Sequence, residues 1–210
     1  MHIFGLGLSR TGTTSLHVAT MALGISSVHY PLDFALRWLA GDFSAQHFSR
    51  YTAYYDVPVC CYYPVLDQLY PDSKFILTVR DIDAWLDSCE THFARRPQHD
   101  QQTLARDMVR VATYGVFNFE RNQFRSVYQR HCDAVMSYFS ASRSSRLLVL
   151  DIAAADALSK LTLFLQEYVD NPLPMKAMPH LKLPYLGELE RVAHDERAAK
   201  RSSIERLLAA

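Results

Sequence analysis

A chain of 210 residues, 49% apolar and 12% aromatic, can bury one sizeable core but not two, so a single domain over residues 1–210 is expected. Lys plus Arg and Asp plus Glu number 22 each, which removes the net field that draws a protein to nucleic acid or an anionic membrane and leaves any bound anion to a local site. Residues 1–10 lack the charged start and long apolar stretch of a secretory signal, and no window reaches the roughly 18 apolar residues that span a bilayer. A cytoplasmic protein without nucleic-acid or membrane partners is the expectation. Cys60, Cys61, Cys89 and Cys132 show no metal-ligand spacing, and the adjacent pair is poorly placed for a disulfide, so all four read as packed thiols.

Short apolar runs alternate with longer helical patterns, the signature of an α/β fold: three layers, α/β/α, around a central parallel sheet. His2–Gly7 reads as the first strand, Thr13–Leu23 as a helix and Thr52–Val57 as a second strand. A helix over Cys61–Leu69 leads through the turn Tyr70-Pro71-Asp72 into a strand over Lys74–Arg80. Asp81 or Asp83 can cap the next helix, which runs to about Phe93. Gln101–Tyr138 holds two helical stretches broken near Gly115–Asn118, a helical insertion at about 100–140. Arg146–Asp151 reads as a buried strand and Ala154–Val169 as the helix after it. Asp170–Pro184 carries four of the nine prolines and should be an extended loop, and Leu186–Leu208 alternates charge and Leu in a helical pattern. That last stretch is expected to be a solvated helix or a homodimer contact.

The segment Gly5-Leu6-Gly7-Leu8-Ser9-Arg10-Thr11-Gly12-Thr13-Thr14-Ser15 places a glycine-rich turn between a strand and a helix. Backbone N–H groups there converge on an anion at the positive end of the helix. As a nucleoside triphosphate loop, Gly7–Thr14 has the right spacing, but Thr13 stands where the phosphate-binding lysine belongs, which argues against a kinase or hydrolase. The cation is Arg10 instead. Arg10 followed by Thr-Gly-Thr-Thr resembles the phosphosulfate-binding loop of the sulfotransferase family. The resemblance implies a fold like that of P-loop nucleoside triphosphate hydrolases. It assigns Ser9, Arg10, Thr11, Gly12, Thr13, Thr14 and Ser15 to a clamp on the 5′-phosphosulfate of 3′-phosphoadenosine 5′-phosphosulfate.

A second anchor follows the strand Lys74–Arg80, which delivers Arg80 at its carboxyl end, where ligands of open α/β sheets bind. Ser88 lies one to two turns into the next helix. In sulfotransferases an Arg at a strand end and a Ser eight residues later hold the cofactor's 3′-phosphate, and Arg80 and Ser88 match that spacing. The order Tyr128-Gln129-Arg130-His131, then Leu147–Asp151, is a weaker echo of the same family. The resemblance implies transfer of a sulfuryl group to a hydroxyl or amine of a small-molecule or carbohydrate acceptor. Adenosine 3′,5′-bisphosphate leaves as product, and no metal is called for.

Such a transfer needs in-line geometry, charge stabilisation and a base. Arg10 and the loop amides would stabilise the transferring charge. Cytosolic sulfotransferases carry a His, one residue and a Pro between the two anchors, and Asp56-Val57-Pro58 stands at the matching place. Asp56 is therefore the expected general base, with Tyr54, Tyr55, Tyr62 and Tyr63 expected to raise its proton affinity by desolvation. His29, His131 and His180 are the alternatives. The closing Arg-Lys-Gly of many sulfotransferases is missing; Lys200-Arg201-Ser202-Ser203 lacks the glycine, so the loop Pro172–Pro184 is the candidate cover. A non-catalytic nucleotide-binding relative is the remaining alternative.

Overall fold

The computed structural model describes residues 1–94, 101–179 and 204–205. Five strands, β1 (Ile3–Gly5), β2 (Ser27–His29), β3 (Ala53–Tyr55), β4 (Lys74–Val79) and β5 (Leu147–Asp151), form one sheet in the order β2-β3-β1-β4-β5. Every pairing is parallel, with Ile3 opposite both Ala53 and Lys74, Ser27 opposite Ala53 and Phe75 opposite Leu147. From β1 the chain steps out to the edge strand β2, returns to β3 between the two, and then crosses to β4 and β5 on the other side. The carboxyl end of β1 is thus the point where the winding reverses, which is where open parallel sheets leave a crevice.

The helices are α1 (Thr13–Ala22), α2 (Leu32–Leu39), α3 (Tyr63–Leu69), α4 (Ile82–Phe93), α5 (Gln101–Tyr114), α6 (Arg121–Tyr138) and α7 (Ala157–Phe164). Alternation along the strands sorts side chains to two faces. Ile3, Tyr55 and Ile76 pack with Leu16 and Ala19 of α1 and Leu161 of α7. Phe4, Tyr54, Phe75 and Leu77 pack on the other face with Leu66 of α3 and Val135 of α6. The α/β/α layering expected from the alternating runs is therefore the observed fold.

A third cluster closes the carboxyl end of the sheet. Leu8 and Val57, from the turns after β1 and β3, pack with Trp85 and Leu86 of α4, Tyr114 of α5 and Phe124 of α6. The two helices expected between 100 and 140 are α5 and α6, and they break at Gly115, whose φ is 77°. They therefore build one wall around the strand ends.

Two elements were not foreseen. β2 is only three residues, polar at Ser27 and His29, and pairs on one side alone, so it carries no apolar run. α2 follows Pro31 and stops before Gly41, whose φ is 81°. That start and stop signal was present in the sequence. The helix expected over Ala154–Val169 is shorter, with α7 followed by a 3-10 turn at Gln166–Tyr168. From Asp170 to Pro179 the chain has no helix or strand, as expected; the rest of the proline-rich loop and most of Leu186–Leu208, including Lys200–Ser203, lie outside the described residues.

Close approach at β1 explains one glycine. A Cβ on Gly5 would stand 2.3 Å from Cδ1 of Tyr55, a fully buried ring held on its other side by Thr20. Gly5→Ala is expected to destabilise the chain by about 1–3 kcal/mol, the usual cost of overpacking, read as a fall in thermal midpoint by calorimetry.

Candidate functional site

The turn after β1 is held in a conformation most side chains avoid. Thr11 N–H donates to the Leu8 carbonyl at 3.2 Å, closing a turn in which Arg10 takes φ 72°. A non-glycine residue there costs of order 1–3 kcal/mol, and such strain concentrates at ligand sites. Gly12, at φ 98°, begins α1 without any side-chain cap, and the first turn of α1 holds no acidic residue. The first N–H groups of this ten-residue helix thus lie at the loop without a bond from an N-cap side chain. Gly7 permits this approach: a Cβ there would lie 1.7 Å from Thr78 Oγ1 and 2.5 Å from Thr11 Oγ1, which are themselves 2.6 Å apart. Trp85 of α4 fixes the loop from above, its Nε1–H donating to the Ser9 carbonyl at 2.9 Å.

Asp56, at the end of β3, lies directly beneath this loop and is 5% exposed. Its Oδ1 accepts from Ser9 Oγ and from Val57 N–H, each at 2.7 Å. Its Oδ2 accepts from Thr13 Oγ1 at 3.1 Å and lies 3.0 Å from His29 Nε2. Thr13, in the position of the absent lysine, thus turns to a carboxylate inside the protein. Asp56 also has a positive φ, 73°, so the two residues expected to carry catalysis share the same backbone strain.

The expectation that aromatic neighbours raise the proton affinity of Asp56 is overturned. Burial pushes the carboxyl up, but the His29 imidazole beside it and the bonds from Ser9 and Val57 outweigh that and hold it below the ordinary carboxylate range. Tyr54 and Tyr55 face opposite sides of the sheet, and Tyr55 spends its hydroxyl on Thr20.

The second anchor meets the first. Arg10 Nε donates to Ser88 Oγ at 3.1 Å, joining the loop to α4 across 78 residues of sequence. Arg80 follows β4 and is exposed, and among the described residues no carboxylate pairs with its guanidinium; Asp81 instead caps α4 through Ala84 N–H, and Asp83 pairs with Arg125. Its backbone is clamped by Tyr128, whose hydroxyl donates to the Arg80 carbonyl at 2.7 Å and accepts the Arg80 N–H at 2.9 Å. Burial pushes the Cys89 thiol of α4 up, and the positive charges of Arg10 and Arg80 pull against that rise. Thr11 and Ser15 are buried beside the loop, while Thr14 is part-exposed with its Oγ1 3.4 Å from His29 Nε2.

The alternative bases separate. His131 spends Nε2 on the Leu6 carbonyl at 2.6 Å, where it ties α6 to the end of β1; burial lowers its proton affinity. His180 lies outside the described residues. His29 belongs to the site. The sequence carried only a weak signal for it, a histidine just before Tyr30-Pro31, because the strand that positions it is too short to show a period.

Two outcomes follow. Arg10→Gly should be more stable than Arg10→Ala by about 1 kcal/mol, because only alanine retains the left-handed penalty, and chemical denaturation of the two variants measures the difference. Asp56→Asn should cost about 1–3 kcal/mol near neutral pH, because it leaves buried donors without an ionised acceptor. A carboxyl held low in the fold stabilises above its unfolded value of about 3.9 and loses that contribution as pH falls through its lower folded value. The gap in thermal midpoint between wild type and Asp56→Asn should therefore persist down to about pH 5 and narrow below about pH 4.

Comparison with known proteins agrees with this geometry. The sequence matches the family described as "Sulfotransferase domain" over residues 2–183, which takes in every element above. A curated relative from Aspergillus versicolor, described as "Ava biosynthesis cluster protein M", is 33% identical over 111 residues. That match covers 43% of this chain and 42% of the relative, so the chain spans less than half the length of that protein. With the family model matching residues 2–183 of 210, the chain belongs to the sulfotransferase domain family.

Proposed function

We propose that this chain transfers a sulfuryl group from 3′-phosphoadenosine 5′-phosphosulfate to a hydroxyl or amine of a small-molecule or carbohydrate acceptor. The observation that carries the reading is the meeting of Arg10 with Ser88 beside the uncapped start of α1. One ligand with an anionic group at each end of an adenosine fits a loop cation bonded to a serine of α4 beside an N–H-rich turn. The residues present suit such a donor: Gly7 lets the loop pack close to Thr78, Arg10 reaches Ser88 of α4, and the exposed Arg80 has no carboxylate partner among the described residues.

Arg10, with the N–H groups of Thr13, Thr14 and Ser15, would hold the 5′ end and stabilise charge there. Arg80 and Ser88 would hold the 3′-phosphate, with Tyr128 fixing the backbone from which Arg80 projects. When bound, the donor supplies the sulfuryl group and leaves as adenosine 3′,5′-bisphosphate. Asp56 faces the same loop from below and orients Ser9, Thr13 and His29 around it. Among the described residues no helix is long and apolar enough to cross a membrane, and a cytoplasmic enzyme is part of this proposal.

Titration calorimetry tests the reading with the product nucleotide. Adenosine 3′,5′-bisphosphate should bind without metal and more tightly than ATP with Mg²⁺. Arg10→Ala and Arg80→Ala should each weaken it about 10- to 100-fold, the worth of one charge-assisted hydrogen bond. Tighter binding of ATP, or equal binding by both variants and wild type, would remove the assignment.

A further inference from the structure

Buried polar atoms in folded proteins nearly always find a partner, and an exception inside a site calls for a functional account. His29 is 8% exposed, and its Nδ1 is buried with no hydrogen-bond partner. The other ring nitrogen is crowded: Nε2 lies 3.0 Å from Asp56 Oδ2, 3.0 Å from Thr13 Oγ1 and 3.4 Å from Thr14 Oγ1. Asp56 is surrounded by donors on both oxygens, so it is an ionised acceptor, and the atom facing it at Nε2 must carry a hydrogen. In the neutral ring the lone pair then sits on Nδ1.

This arrangement favours the alternative base, His29, over Asp56. A carboxylate that already accepts four hydrogen bonds is a poor proton acceptor, but it is well placed to orient an imidazole and to stabilise the cation formed there. A neighbouring histidine offers no substitute, since His17 Nδ1 is bonded to Ser27 Oγ at 2.8 Å with its ring centred 5.9 Å from that of His29. Resting on the sulfuryl-transfer reading above, we propose that His29, oriented by Asp56, is the general base, with Nδ1 as the receiving atom. The acceptor's O–H or N–H bond breaks and its proton passes to Nδ1. The freed electron pair forms the new bond to sulfur as the bond from sulfur to the 5′-phosphate oxygen breaks, and the product nucleotide keeps that oxygen.

The test uses the full chain and two variants. His29→Gln retains an N–H donor for Asp56 but cannot take a proton; His29→Ala retains neither. The probe reaction is transfer of labelled sulfate from 3′-phosphoadenosine 5′-phosphosulfate to water. His29→Gln should bind adenosine 3′,5′-bisphosphate within about threefold of wild type and turn over at least about 100-fold more slowly, the size of a lost general base. His29→Ala should recover part of its rate in added imidazole. A wild-type rate in His29→Gln would overturn the proposal, leaving a positioning role, and so would loss of nucleotide binding in both variants. Long-range proton–nitrogen NMR spectra of the wild type, assigned by the signals missing in His29→Gln, decide the point independently of turnover. A proton on Nε2 with a basic Nδ1 is expected, and a proton on Nδ1 sinks the idea. If wild type binds no adenosine 3′,5′-bisphosphate, the sulfuryl-transfer reading fails by itself, while the tautomer result still reports on His29.

Discussion

A carboxylate removed from water is unfavourable unless donors replace its hydration, and Asp56 collects its donors from three separate segments. Ser9 and Thr13 come from either side of the strained Arg10, His29 from the end of β2, and an N–H from Val57 next in the chain. Each of these contacts constrains the segment that makes it. The glycine loop can hold its left-handed residues because Ser9 and Thr13 are tied down below while Trp85 bonds the loop carbonyl above. Conformational strain in the loop is thus balanced by electrostatics in the layer beneath it.

The same logic explains why the small edge strand matters. β2 adds little apolar area, yet it delivers the imidazole Nε2 that faces the buried carboxylate. On the opposite side, α6 performs a related task with neutral groups: Tyr128 spans both backbone groups of Arg80, and His131 reaches the Leu6 carbonyl. One helix therefore fixes the ends of β1 and β4 together. The carboxyl edge of the sheet is set by these side-chain bonds as much as by the ladder itself.

Much of this was legible from residues. Apolar runs marked β1, β3, β4 and β5, and the order of glycine, arginine and threonine marked the loop, because backbone constraints leave strong local signatures there. Arg80 and Ser88 were placed by spacing, and the structure brings Ser88 to Arg10 rather than leaving it on a solvated face. The part that was not legible is non-local. Whether a buried carboxyl is raised or lowered depends on which donors reach it through space, and the aromatic string Tyr54–Tyr55 suggested desolvation while saying nothing of His29, some 27 residues earlier. A three-residue strand has no room to display a period, so the sequence ranks His29 only as an alternative base beside His131 and His180 and does not place it next to Asp56.

The bond between Arg10 and Ser88 also bears on how a ligand is received. Ser88 accepts from Arg10, so its own hydroxyl hydrogen is left free to turn toward an incoming anion, and the arginine keeps its remaining N–H groups for another. The two grips are linked by a shared atom before anything arrives. On the proposed sulfuryl-transfer reading, a nucleotide long enough to touch both would benefit from this as a chelate does: the second attachment would occur at high local concentration once the first is made. A molecule bearing only one of the two charged groups would forgo that gain, so on that reading the two grips would discriminate by reach as well as by charge.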